Sequence, residues 1–166
     1  FVQFMFGNQF NIARTVTGHE LPPVYVYALE TSLQLTLTEL NESLREVYLE
    51  AYRQPQSADY IYRHTASELY QIFGSYLPSY SECDFYEQDI GSGGIMRAYM
   101  ERPCDLYFTL EKKLSRFLTM SMRAYCVPPD EQQQVLAFIE TLDIRGISER
   151  VMQELFRKLE MQFSFS

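Results

Sequence analysis

At 166 residues, with 46% hydrophobic and 22% charged side chains, the chain is sized for one domain with a proper core. A net charge of −8 and the absence of any basic run exclude a phosphate-tracking surface, so this segment itself should repel nucleic acid. No run of ~20 apolar residues occurs, which leaves no membrane span.

Residues 1–14 read as the tail of a helix, with Val2, Met5, Phe6, Gln9 and Ile12 near one face. No Ser, Thr, Asp or Asn precedes this pattern to cap its first turn, so the natural protein is expected to continue upstream. The apolar start also lacks the basic flank and small-residue cleavage site of a signal peptide. Residues 15–21, containing Gly18, form the loop that follows.

Residues 22–54 dominate the chain. Two prolines open the stretch, tolerated in a helix's first turn, and Pro55 closes it. Val26, Leu29, Leu33, Leu37, Leu40, Leu44, Val47 and Ala51 recur at steps of three and four, which predicts one helical stripe. A helix of ~30 residues would run ~45 Å and span a small domain. Tyr25, Leu35, Tyr48, Leu49 and Tyr52 lie off the stripe, so neighbours are expected on several sides. This is the predicted central strut.

Ser57 offers a cap for a second helix to about residue 76, with Ala58, Ile61, Tyr62, Thr65, Leu69, Ile72, Phe73 and Tyr76 in its stripe. Ser81, followed by Glu82 and Asp84 in the first turn, starts a third that reaches about residue 90. Gly91-Ser92-Gly93-Gly94 weakens it before the pattern resumes from Ile95 to Arg102, as one kinked helix or as two. Pro103 starts the next, over residues 104–126, with Tyr107, Leu110, Leu114, Phe117, Leu118 and Ser121 aligned. Pro128-Pro129 and then Asp130-Glu131 open a further helix, and Ile147, Val151, Met152, Leu155, Phe156, Leu159 and Phe163 make the last. No alternating strand pattern of useful length is present. The predicted fold class is all-α, a helical bundle around one long central helix.

Catalytic patterns are thin. His64 and Glu68 stand four apart on one helix face, a spacing that suits a metal, but no third ligand follows and an ion pair is the better reading. The Gly91–Gly94 tract lacks the lysine of a P-loop and the strand of a dinucleotide-binding turn, so a helix kink is preferred to a phosphate cradle. Cys104, beside an expected helix start, is read as a buried, inert thiol rather than an activated one. With Cys83 and Cys126 it makes an odd count without C-x-x-C, as in a reduced, cytoplasmic protein. No catalytic residue, metal site or cofactor is assigned.

Aromatic and methionine side chains instead crowd the middle of the chain, a mixture that lines apolar cavities as well as cores. An enclosed cavity is expected between the long helix and those after Ser57, Ser81 and Pro103. Its expected lining is Asn41, Leu44, Tyr48, Tyr62, Phe73, Met96, Met100 and Tyr107, and its expected ligand is small and apolar or aromatic. The polar row Gln34, Thr38, Asn41 and Arg45 either faces solvent or lines such a cavity.

A chain that enters mid-helix and passes through a loop, one long helix and further helices to a strongly apolar amphipathic one resembles the C-terminal regulatory domain of TetR-type transcriptional regulators. The resemblance covers the whole chain by architecture, not by motif, because the family's diagnostic residues lie in a helix-turn-helix domain absent here. It implies that residues 1–14 end the linker helix from a missing N-terminal DNA-binding domain. Residues 15–166 would then be the ligand-binding and dimerisation domain of a repressor that touches DNA only through the missing part. It also implies a homodimer seam on late helices, for which Leu114, Phe117, Val151, Leu155, Phe156 and Leu159 are the candidates. The alternatives are a helical interaction or scaffold module without a ligand site and, more weakly, a helical-bundle enzyme.

Overall fold

The computed structural model describes the backbone of residues 20–164 and the side chains of residues 20–161. The expected linker helix over residues 1–14 lies outside the described residues, as does the side chain of Phe163. Among the described residues seven helices follow one another: α1 (Pro23–Leu40), α2 (Glu42–Arg53), α3 (Pro55–Phe73), α4 (Glu82–Glu101), α5 (Leu110–Ala124), α6 (Pro129–Glu140) and α7 (Ile144–Ser164). Among the described residues there is no strand, so the all-α expectation holds.

The single long helix is corrected to two, α1 and α2, meeting at Asn41. That residue is extended, with φ −139° and ψ 110°. The break sacrifices little hydrogen bonding. The Asn41 N–H still donates to the Leu37 carbonyl (3.1 Å) and its carbonyl accepts from the Arg45 N–H (3.0 Å). Its side-chain oxygen meanwhile caps α2 by accepting from the Leu44 N–H at 2.9 Å. The stripe fails at the same place: Leu40 is exposed and Val47 half-buried, while Leu44, Tyr48, Leu49, Ala51 and Tyr52 face inward.

Helix α1 is the more fully buried of the two. It packs against each of the other six helices, and buried residues occupy every side of it, from Val24 through Leu29, Leu33 and Leu35 to Leu37. Buried Glu30, Ser32, Gln34, Thr36 and Thr38 share that surround. Thr36 and Thr38 satisfy their hydroxyls on carbonyls of the preceding turn, which lets them sit in a dry environment.

Several boundaries differ from expectation. Pro55, not Ser57, begins α3 as its first residue, and Gln54 bridges α2 to α3 without a side-chain cap. Helix α3 stops at Phe73, so Tyr76 lies in the following turn. Helix α4 runs unbroken through the Gly91–Gly94 tract from a reciprocal cap in which Ser81 and Asp84 bind each other's backbone N–H. Gly93 is needed there: a Cβ at that position would meet Tyr62 Cε1 of α3 at 2.7 Å.

Pro103 starts no helix. Residues 102–109 form a loop in which the Asp105 carboxylate accepts from the N–H groups of Tyr107 and Phe108 (2.8 and 2.6 Å), an arrangement that competes with helix formation. Thr109 then caps α5. Pro129 opens α6 with Asp130 and Glu131 in its first turn, as expected, and α7 begins at Ile144 rather than Ile147.

Candidate functional site

Three helices turn a polar face toward one another inside the bundle. From α1 come Tyr27, Glu30, Thr31 and Gln34, from α3 Thr65, Glu68, Leu69 and Ile72, and from α4 Asp89, Ser92, Gly93 and Met96. Each set is spaced by threes and fours, the step that keeps side chains on one helix face. Tyr52 of α2 and Phe117 of α5 complete the lining of a cavity of about 70 Å³. It contains three carboxylates and no lysine or arginine.

Asp89 is the chemical centre. Only 4% of it is exposed, and its Oδ1 accepts a hydrogen bond from the Ser92 hydroxyl at 3.0 Å. Because Ser92 donates its only proton there, the Tyr125 hydroxyl, 2.7 Å away, donates to Ser92. No lysine, arginine or histidine among the described residues forms an ion pair with Asp89. Burial therefore pushes its carboxyl up to about 7, with the Ser92 hydrogen bond pulling the other way.

Around it the phenols stay neutral. Burial raises Tyr27, Tyr52, Tyr62 and Tyr125 above the ordinary phenol value, and the neighbouring Asp89 charge adds to each shift. The Tyr27 hydroxyl bonds Ser121, and Tyr52 bonds the Gln34 side chain. One amide group is left over: the Nε2 of Gln34, a residue only 5% exposed, has no hydrogen-bond partner.

The eight residues expected to line a pocket are not gathered around this cavity. Met96 lines it, and Tyr62 flanks it, packed over Gly93 and 6.2 Å from the Tyr52 ring. Leu44, Tyr48, Phe73 and Met100 are buried core, with Phe73 stacked on Tyr125 at 4.5 Å. Asn41 caps α2, and Tyr107 stands 79% exposed on the 102–109 loop. The polar row divides in the same way. Gln34 lines the cavity, Thr38 bonds its own helix, Asn41 is a cap, and Arg45 pairs with Glu39 at 3.2 Å.

Asp89, Ser92 and Glu30 were not in the expected lining. Their signal was there to be read: Phe85, Asp89, Ser92 and Met96 make one stripe at steps of four, three and four, with two polar members in an otherwise apolar row.

Of the expected seam residues, Leu114, Phe117, Val151 and Leu155 are buried inside the chain. Phe156 is 40% exposed and Leu159 half-buried. Leu114 also forms the floor of a second hollow of about 270 Å³, with Leu110, Leu118, Ile139 and Ile144, rimmed by an Arg145–Glu111 ion pair at 3.4 Å.

His64 stacks on Tyr60, and Glu68 faces the cavity instead of forming the expected ion pair with it. Among the described residues no group of three or more His, Cys, Asp or Glu is arranged to hold a metal ion. All three cysteines are free thiols. Burial pushes the Cys104 thiol up, and no helix begins beside it to lower it. Among the described residues no helix is long and apolar enough to cross a membrane. No family model, curated protein or solved structure matches the chain.

Proposed function

We propose that this chain is the effector-sensing and dimerising domain of a TetR-type transcriptional repressor working in the cytoplasm. The observation that carries the reading is the polar cavity walled by α1, α3 and α4. A ligand there would bear directly on the one helix that packs against all the others. Differential affinity for two arrangements of α1 would then shift the spacing of DNA-reading heads attached upstream, a population shift without catalysis.

A second feature supports dimerisation. Met152, Phe156 and Leu159 align on the outward face of α7, half-buried or exposed, behind the buried row of Val151 and Leu155. The seam of this reading is that outer row.

A chain extended upstream through a helix-turn-helix segment should bind duplex DNA, with an affinity that falls steeply with salt. The 166-residue chain alone should not. An extended chain that ignores DNA, or an acidic upstream segment, removes the reading. One observation favours the alternative of an interaction module: a cavity of about 70 Å³ is well below the ~300–1,000 Å³ of drug-sized ligand sites. Any effector must therefore be small.

A further inference from the structure

We propose that the cavity between α1, α3 and α4 takes a small protonated amine bearing an oxygen, its ammonium held by Asp89 and its oxygen by the Gln34 carboxamide. This deepens the sensor reading and rests on it, by naming the class of effector.

Charge decides the class. The lining carries Glu30, Glu68 and Asp89 and no cationic side chain. An anion would meet three carboxylates and no cation to offset them. A neutral apolar guest would cover Asp89 and the Gln34 amide without satisfying either, and a polar group sealed from water without a partner is costly. A bare metal ion lacks a ligand set among the described residues. An ammonium supplies the counter-charge that Asp89, 4% exposed and bonded only to Ser92, does not receive from the protein. Burial holds the Asp89 carboxyl near 7, so it carries its charge, and attracts an ammonium, from about neutral pH upward.

The second handle is independent of charge. Gln34 Nε2 is a donor with no partner, on a side chain 5% exposed that faces the cavity. A donor needs an acceptor, which an ammonium is not, so the ligand carries a hydroxyl or carbonyl oxygen as well. Size sets the last limit. Benzene occupies an engineered cavity of ~150 Å³, so about 70 Å³ has room for roughly three or four heavy atoms. Ethanolammonium has that size and both groups.

The test is amide NMR on the full chain with four probes, ethanolammonium, ethylammonium, ethylene glycol and indole. Ethanolammonium should shift the Ser92 and Gly93 backbone amides and the Gln34 side-chain amide saturably, and ethylene glycol at equal concentration should not. Asp89→Asn, which preserves shape, should weaken ethanolammonium at least ten-fold while the helical circular dichroism persists. Gln34→Met should erase the preference for ethanolammonium over ethylammonium, which remains informative if the Asp89 variant misfolds. Equal responses to the glycol and the ammonium, or no saturable response to ethanolammonium, would overturn the proposal. Shifts of these amides by indole alone would overturn the cationic class while leaving the sensor reading intact. Silence toward all four probes, in a chain whose extended form also fails to bind DNA, would remove both.

Discussion

A carboxylate sealed from water must find a counter-charge or give up its own. Among the described residues Asp89 is bonded through its side chain to Ser92 alone, and its carboxyl is held at about 7 against an ordinary 3.8. The sign follows from linkage. Below about pH 4 the acid is protonated in folded and unfolded chains alike, and its contribution to stability is neutral. As pH rises from there through about 7, the unfolded chain ionises first and stability falls; above 7 the loss is complete and constant. A shift of this size corresponds to at most about 4 kcal/mol. Asp89→Asn should therefore stabilise the ligand-free fold at pH 8 by about 2–4 kcal/mol and flatten this part of the profile, measured by urea unfolding at pH 5 and pH 8. The groups facing Asp89 do not mask this. Tyr27, Tyr52, Tyr62 and Tyr125 are raised and stay neutral over this range, and Glu30 and Glu68, which share the lining, are both still present in the variant. A wild-type profile retained in the Asn variant would mean that Asp89 is not the group responsible.

At the scale of helices, one carboxylate ties the α1–α2 junction to the far loop. Glu39 accepts from Lys113 of α5 (2.9 Å), from Arg45 of α2 (3.2 Å) and from the Cys104 N–H of the 102–109 loop (3.0 Å). Burial raises its carboxyl, but the Lys113 hydrogen bond, the Cys104 N–H and the two cationic charges outweigh it and hold the pKa below the ordinary value. Lys113 is itself buried, so neutralising its partner leaves a cation inside the fold. Glu39→Gln should cost about 3 kcal/mol. Glu42→Gln, on the exposed partner of Arg45, should cost close to nothing. Asn41→Ala removes the α2 cap and should cost about 1 kcal/mol. Equal effects from the Glu39 and Glu42 substitutions, in matched urea curves, would mean the junction is not clamped as described. These elements also mark the limit of what the sequence displays. Periodicity reveals that residues 22–54 are helical, but one extended residue at Asn41 re-aims the second half without disturbing the count. The Gly91–Gly94 tract carries the opposite lesson. Three glycines weaken a helix locally, yet close packing of α3 on α4 at Tyr62 and Gly93 favours the unbroken path. The cavity was less legible than the helices because its residues come from five of them, and only after folding do Gln34 and Asp89 face one space.

For the molecule as a whole, α7 separates two rows that look alike in sequence. Val151 and Leu155 are buried, and α7 packs on α1. Met152 and Phe156 lie one position on from these, about a quarter-turn around the helix, Leu159 falls between the two rows, and Phe156 keeps apolar surface outward. Substitution with a charge should therefore have opposite outcomes at adjacent positions. Leu155→Asp places a carboxylate at a site 2% exposed, inside the single chain, and should lower stability by several kcal/mol whatever the oligomeric state. Phe156→Asp places it at a site 40% exposed, where the isolated chain tolerates it but a two-fold seam does not. Sedimentation velocity at micromolar concentration, run beside circular dichroism, separates the two. The wild type should sediment as a dimer. Phe156→Asp should sediment as a monomer with its helical signal intact, and Leu155→Asp should lose helical signal. A wild type that sediments as a monomer, or a Phe156→Asp variant that remains dimeric, would move the seam off this face of α7.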